Sequence, residues 1–487
     1  MSATSSQISH LDATAQAELV SSGEVTQAEL IEGAITRAEA VNPELNAIIH
    51  PLFDEAREAA AGELPDGPFR GVPFLLKDLG ASLAGQPYHA GNRLLKEIGM
   101  RHPLDTALAL RFKSAGLVTI GKTNTPEWGI LPTAEPVAYG ATHNPWDTTR
   151  GPGGSSGGSG AAVAAGIVPI AHANDGGGSI RIPASVNGLV GLKPSRARVS
   201  EAPLAGDTMS GLVAEFVVAK SIRDVGTMLD WVSGPEPGDP YGAPPPERPY
   251  AEEVGRDPGK LRIALLTDPL TGDVPNPVVI EAAEGAAGRM EALGHEISRP
   301  EPPPIGEMMD LFETFMDRWA AGQAQTADMI GAIVGRELTA DDVEPLTWAL
   351  IERGRNTSGA EYLSAVSQHQ LATRIFAGLY EDGGFDLILT PTLGDIPQPL
   401  GTFDDSGPDP MVAIEKARQF AGFTGLFNAT GQPAISLPLA ESVEGLPIGI
   451  QLVAPIWRED VLIRIAAQLE AAHPWADRRP AVFAEDQ

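Results

Sequence analysis

Apolar and polar positions follow two rhythms along this chain, helical near its start and strand-like further on. Leu11 to Val20 has helical spacing and stops at Gly23. Thr26 with Glu29 three residues later forms a capping box before LIEGAITRAEAV. Asn42-Pro43 is expected to end that second helix, because proline disfavours helical geometry in the residue before it. These N-terminal helices occupy residues 8–62. From Gly71 the texture changes to short apolar runs broken by Gly and Pro: VPFLL, LVTIG, VPIAHA and LVGL. Between them Thr106 to Ala115 reads as helix, and the alternation predicts an α/β sheet.

A Pro-rich stretch, residues 234–260 with PPPERP inside it, reads as a surface loop. It is followed by the strand pattern LRIALLT and a helix from Val278 to Leu293. Residues from about 300 to 385 are largely helical, then FDLILTPT, QPAISLPL and LPIGIQLVA return to strand and lead into a helix from Glu459 to Ala472. No internal repeat is visible. The expectation is one α/β domain over residues 1–487, with a core at about 70–235, a helical insertion at about 300–385 and a core return at 386–487.

Composition narrows the function. Hydrophobic residues make up 43% and charged residues 20% of 487, a globular balance. Lys plus Arg is 34 against 64 Asp plus Glu, a net charge of −30, which repels phosphate backbones and anionic lipid. Nucleic acid and membranes are therefore poor partners. The absence of cysteine removes disulfides, thiolate zinc sites and any cysteine nucleophile. The N-terminus has neither a basic nor an apolar leader pattern, so a cytoplasmic location is expected.

The densest chemistry lies between Gly151 and Arg181. GPGGSSGGSGAAVAAG could be a flexible linker, but it runs directly into an Ala-rich helical pattern. In NDGGGSIRIPAS, Gly176, Gly177 and Gly178 precede Ser179, so unobstructed backbone N–H groups can surround its hydroxyl, the raw material of an oxyanion hole. Two pattern matches are rejected on context. GLVTIGKT, residues 116–123, fits a phosphate loop, but the intervening LVTI is strand-like and Pro126 follows. GGSSG fits the nucleophile elbow of esterases, but WDTTRGP before it is no strand, and His369 and His473 read as surface or packing residues.

If histidine is not the base, a lysine can deprotonate serine once its pKa is pulled down. Lowering its pKa from about 10.4 to about 7.5 requires roughly 4 kcal/mol of destabilisation of the ammonium, which burial supplies. Of the eight lysines, Lys77, Lys122 and Lys193 end apolar runs, and position alone does not choose among them.

At this point the chain resembles the amidase signature family of serine hydrolases. The resemblance is carried by GVPFLLKD, GKTNTPEWG, GGSSGGSGAAVAAG, DGGGSIRIPAS, GLKPS, FNATGQPAISLP and GLPIGIQ, which together span most of the chain. It implies a mixed β-sheet flanked by helices and a metal-free, cofactor-free Ser–cis-Ser–Lys triad. Ser179 would be the nucleophile, Ser155 the bridging serine at a cis peptide, and Lys77 the base. The N–H groups of Gly176, Gly177, Gly178 and Ser179 would form the oxyanion hole, Ser156 would help hold the network and Arg181 would brace the loop.

The chain departs from the family at Asn174-Asp175-Gly176, where relatives often carry Thr before the Asp and Ile or Thr after it. This puts Gly176 in doubt as a rigid donor. Within the family the whole-chain texture is most similar to hydrolases of aminohexanoate cyclic dimers, which implies linear or cyclic, fairly apolar amides as substrates, with carbamates a sub-hypothesis; a homodimer is a separate expectation. Phe312, Phe315, Met316 and Trp319 in the insertion fit either a pocket or helix packing, and packing is preferred. Two alternatives stand against this reading: a glutaminase-type subunit of an amidotransferase, working with partners, and a non-enzymatic binding protein.

Overall fold

The computed structural model describes residues 5–269, 271–303, 305 and 310–485. Eleven strands form one sheet. They are β1 (Ile48–Pro51), β2 (Pro73–Lys77), β3 (Val118–Thr123), β4 (Ile170–Asp175), β5 (Val190–Lys193) and β6 (Ala214–Ala219), then β7 (Arg262–Leu265), β8 (Glu296–Ser298), β9 (Leu387–Pro391), β10 (Ala434–Glu441) and β11 (Pro447–Val453). Across the sheet the order is β1-β3-β2-β4-β6-β5-β10-β11-β9-β7-β8. Strand β2 runs parallel to β3 and β4, and β7 parallel to β8 and β9, while every other pairing is antiparallel. The sheet is mixed, as the motif resemblance implies. Strands β2, β4, β5, β9 and β11 are buried along their whole length, which is why they read as continuous apolar runs rather than alternating ones.

The N-terminal helices form where the pattern places them. Helix Ala13–Ser22 ends at Gly23 with φ 74°, and helix Gln27–Leu45 opens on the Thr26–Glu29 capping box. Pro43 does not end that helix, which continues to Leu45. The reason is local. A proline in the last turn removes only one hydrogen bond, and Asn42 organises the exit by accepting the Ala47 and Ile48 N–H groups on Oδ1, at 2.9 and 2.7 Å.

Beyond the Pro-rich stretch, which is irregular apart from a short turn of helix at Tyr250–Glu253, the inserted segment forms helices Leu311–Val334, Pro345–Asn356 and Gly359–Glu381. Positions 304 and 306–309 of the expected helical segment lie outside the described residues. Met316, Trp319, Leu346 and Leu350 of the insertion pack with Ile182 and Leu212 of the sheet layer, so the insertion is fastened over one end of the sheet. That is the end where parallel strands β2 and β4 finish side by side, at Lys77 and Asp175. No helix among the described residues is long and apolar enough to cross a membrane.

Candidate active site

Strand β2 delivers Lys77 into a fully buried position. Its Nζ lies 2.6 Å from Ser155 Oγ and 2.6 Å from Asn174 Oδ1. No carboxylate among the described residues pairs with it. Burial penalises the ammonium and brings the pKa down to about 7, against the opposing pull of Glu215 and Asp175. Ser155 follows a cis Gly154–Ser155 peptide. The chain enters from an irregular segment and passes straight into helix Gly157–Ala164, so no strand precedes this serine as an esterase elbow requires. Ser156 exchanges hydrogen bonds with the backbone of Asn174, accepting its N–H at 3.3 Å and donating to its carbonyl at 3.2 Å. The serine loop is thereby tied to the end of β4.

The residues after β4 make a tight loop around the Asp175 carboxylate. Arg181 Nε and Nη2 each approach an oxygen of Asp175 at 2.9 Å, and the N–H groups of Gly178 and Ile180 donate to it at 2.7 and 3.2 Å. Burial alone would raise the Asp175 pKa, but the Arg181 guanidinium, with the Lys193 charge and the Asn428 hydrogen bond, outweighs it and holds the group down at about 2. Arg181 is itself fully buried, and its remaining N–H groups reach the Thr424 carbonyl, Gln451 Oε1 and Asn428 Oδ1 at 3.0, 2.8 and 2.6 Å.

The loop orients the four expected donors differently. Gly178, at φ 137°, aims its N–H at Asp175, away from the cavity side of the loop. The N–H groups of Gly176, Gly177 and Ser179 have no hydrogen-bond partner among the described residues, nor does the Ser179 hydroxyl.

Ser179 and Gly177 open onto a cavity of about 530 Å³. Its walls are mostly apolar and include Ile130, Leu131, Ile182, Phe315, Met316 and Trp319. Phe312 also lines it, so the preference for packing alone is corrected: all four insertion residues face the cavity, while Met316 and Trp319 also belong to a buried cluster. Phe315 and Trp319 sit one turn apart on their helix with rings stacked at 5.5 Å.

Trp319 also accounts for the third glycine. A Cβ at Gly176 would stand 2.8 Å from Trp319 Cζ3, and one at Gly177 3.3 Å from Phe315 Cζ. The indole takes the space that a side chain after Asp175 would need, and it buttresses the loop in place of that side chain. The outer wall is polar, with Glu313, Glu415 and Arg418, the last paired to Asp273 and Glu415 at 3.0 Å each.

The other lysines that end strands are occupied differently. Lys122 pairs with Asp78 and donates to the Pro87 carbonyl at 2.6 Å. Lys193, also pushed down to about 7 by burial, donates only to the neighbouring Pro194 carbonyl, at 2.8 Å. GLVTIGKT contributes to strand β3 rather than to a loop. His369 is buried between Thr314 and Arg318, where burial and the Arg318 charge push its pKa down to about 3. Among the described residues, His50, Asp78 and His89 bring ligand-type atoms within 4.8 Å of one another, and the Asp78 carboxylate there meets the Lys122 ammonium.

Sheet, loop and cavity together define a class. A family model described as Amidase matches residues 29–463, and the chain belongs to that family. It is a hydrolase of carbon–nitrogen bonds other than peptide bonds. The 6-aminohexanoate-cyclic-dimer hydrolase of Paenarthrobacter ureafaciens is 45% identical over 484 residues, 96% of each chain. A solved structure of 6-aminohexanoate cyclic dimer hydrolase matches with a TM-score of 0.92 at 43% identity, covering 97% of this chain and 99% of that one. A bacterial aryl acylamidase of the amidase signature family matches with a TM-score of 0.86 at 25% identity, over 96% of this chain and 97% of that one.

Proposed function

We propose that the chain hydrolyses apolar amides through an acyl-enzyme on Ser179, with Ser155 as proton relay and Lys77 as base. The observation that carries this reading is Lys77 Nζ, buried, unpaired with any carboxylate among the described residues, and 2.6 Å from Ser155 Oγ. Neutral Lys77 takes the Ser155 proton while Ser155 takes that of Ser179, and the Ser179 oxygen attacks the carbonyl carbon. The resulting oxyanion receives the N–H groups of Gly176, Gly177 and Ser179. The Lys77 ammonium returns its proton through Ser155 to the departing nitrogen, so a neutral amine leaves. Water then repeats the cycle on the ester.

The apolar cavity suits a flexible or cyclic aliphatic amide, and the aminohexanoate cyclic dimer named for the similar enzymes fits that description. Carbamates offer the same carbonyl and leaving nitrogen; loss of amine leaves a carbonate ester on Ser179, whose hydrolysis product sheds carbon dioxide.

A fluorophosphonate probe followed by peptide mapping tests the assignment: the label belongs on Ser179 and disappears in Ser179→Ala. A label on another residue overturns it. Purified enzyme screened against cyclic aminohexanoate dimer, anilides, aryl carbamates and glutamine fixes the substrate class, with turnover expected without ATP.

A further inference from the structure

A closed hydrogen-bond circuit surrounds Lys77. The Lys77 backbone N–H donates to His172 Nδ1 at 3.3 Å, so the hydrogen of that ring sits on Nε2 and is donated to Glu215 Oε2 at 2.6 Å. The other oxygen of Glu215 accepts from Asn174 Nδ2 at 3.1 Å, and the same nitrogen donates to the Leu79 carbonyl at 3.0 Å. Two acceptors on that side require the amide nitrogen there, which turns Oδ1 towards Lys77 Nζ at 2.6 Å. Asn174, His172 and Glu215 are all buried.

The relay from Ser179 to Lys77 does not by itself explain this circuit. A neutral amine carries two hydrogens and one lone pair, and rotation about Cε–Nζ decides which of them faces Ser155. Only the lone pair can take a proton. In a dry site an amine hydrogen seeks an acceptor, because leaving one unmade is costly. Oδ1 of Asn174 offers that acceptor at a fixed place, which holds one N–H and leaves the lone pair for Ser155. In the second half of the cycle the same oxygen accepts from the ammonium, while another N–H returns its proton.

We infer that Asn174 is a positioning residue for the base, and that Glu215 is the key that holds the Asn174 amide in its working orientation. This rests on the reading of Lys77 as the base. The charged groups bearing on the amine are Glu215 from β6 and Asp175 at the end of β4.

The test uses the full chain with a neutral anilide and compares Asn174→Ala, Glu215→Gln and their combination. Asn174→Ala should lower kcat about thirtyfold with KM within about threefold, the pattern of an effect on the chemical step. Glu215→Gln should lower kcat and move the acid limb of the pH profile down, by about half a pH unit or more, since a charge favouring the ammonium is gone. In the Asn174→Ala background Glu215→Gln should add little to the loss of kcat, because its key no longer has a lock.

A kcat within about twofold of wild type in Asn174→Ala, or losses that multiply in the combination, would overturn the inference. If Asn174→Ala does not fold, Glu215→Gln decides alone: an unmoved acid limb or an unchanged kcat overturns it. Failure of the base reading itself looks different, since Lys77→Ala would then keep its activity whatever Asn174 does.

Discussion

Acidification should switch this enzyme off through Lys77, and the size of the effect follows from burial. The group is brought from 10.5 to about 7, so at pH 7.5 about three quarters of it is neutral, against about one part in a thousand for an amine in water. Burial therefore enlarges the working population of base several hundredfold. With Lys77 as the proposed base, turnover takes the neutral form, so kcat/KM should reach a plateau above about pH 8 and fall about tenfold per pH unit below about pH 6.

Stability should respond in the same direction. Between about pH 7 and 10.5 the unfolded chain still holds a proton that folded Lys77 has released, so this group's contribution to stability improves as pH rises through that window. The assay is kcat/KM on an uncharged anilide from pH 5 to 9 at constant ionic strength, in wild type and in Lys193→Met. Lys193 is buried and depressed to a similar value but its amine donates to the Pro194 carbonyl rather than to a serine, so its replacement should leave the midpoint in place. A profile flat down to pH 5, a limb centred above pH 9, or a limb that moves with Lys193 would each refute the argument.

Other outcomes follow from the loop and its buttress. Gly176→Ala pushes a Cβ to within 2.8 Å of the Trp319 ring and should lower kcat/KM at least about tenfold, with partial recovery in Gly176→Ala/Trp319→Ala, read from steady-state kinetics of both. Arg181→Met leaves the buried Asp175 carboxylate without its main partner, and urea unfolding should show a loss of about 3–5 kcal/mol. In the wild type the Asp175 contribution should be full above about pH 4 and lost as pH falls towards 2, because its folded pKa lies below its unfolded one. Incubation with a chelator should leave turnover unchanged; inhibition reversed by an added metal ion would contradict a reaction run by Lys77, Ser155 and Ser179.

What the sequence revealed and what it hid divide along a physical line. Local rules were readable: the Thr26–Glu29 capping box, the stop at Gly23 and the apolar strands each depend on neighbours a few residues away. The choice among Lys77, Lys122 and Lys193 was not readable from position, because it depends on what stands opposite each amine. Asp78, one residue from Lys77 in the chain, pairs with Lys122 instead, so adjacency in sequence misleads. Motif resemblance singled out Lys77, and the fold puts it beside Ser155. Gly178 read as one donor among four; only the closed turn shows its N–H facing Asp175. Asn174 registered as a departure without a role, since Glu215, which orients it, lies on a strand 41 residues further on. Pro43 shows the limit of a local rule near a helix end, where Asn42 compensates.

The contact of Trp319 with Gly176 also bears on how such an enzyme can change its diet. Lys77 and the Asp175 loop lie at the ends of adjacent strands, whereas the indole that presses on that loop at Gly176 comes from a separate helical segment more than a hundred residues away. Mutations in that segment at positions that line the chamber without bearing on the loop, such as Phe312, can reshape it and leave the buttress in place, so new preferences can be tried while the bond-breaking apparatus stays intact. A directed-evolution library confined to that helix should yield variants that differ in what they accept more than in whether they turn over at all.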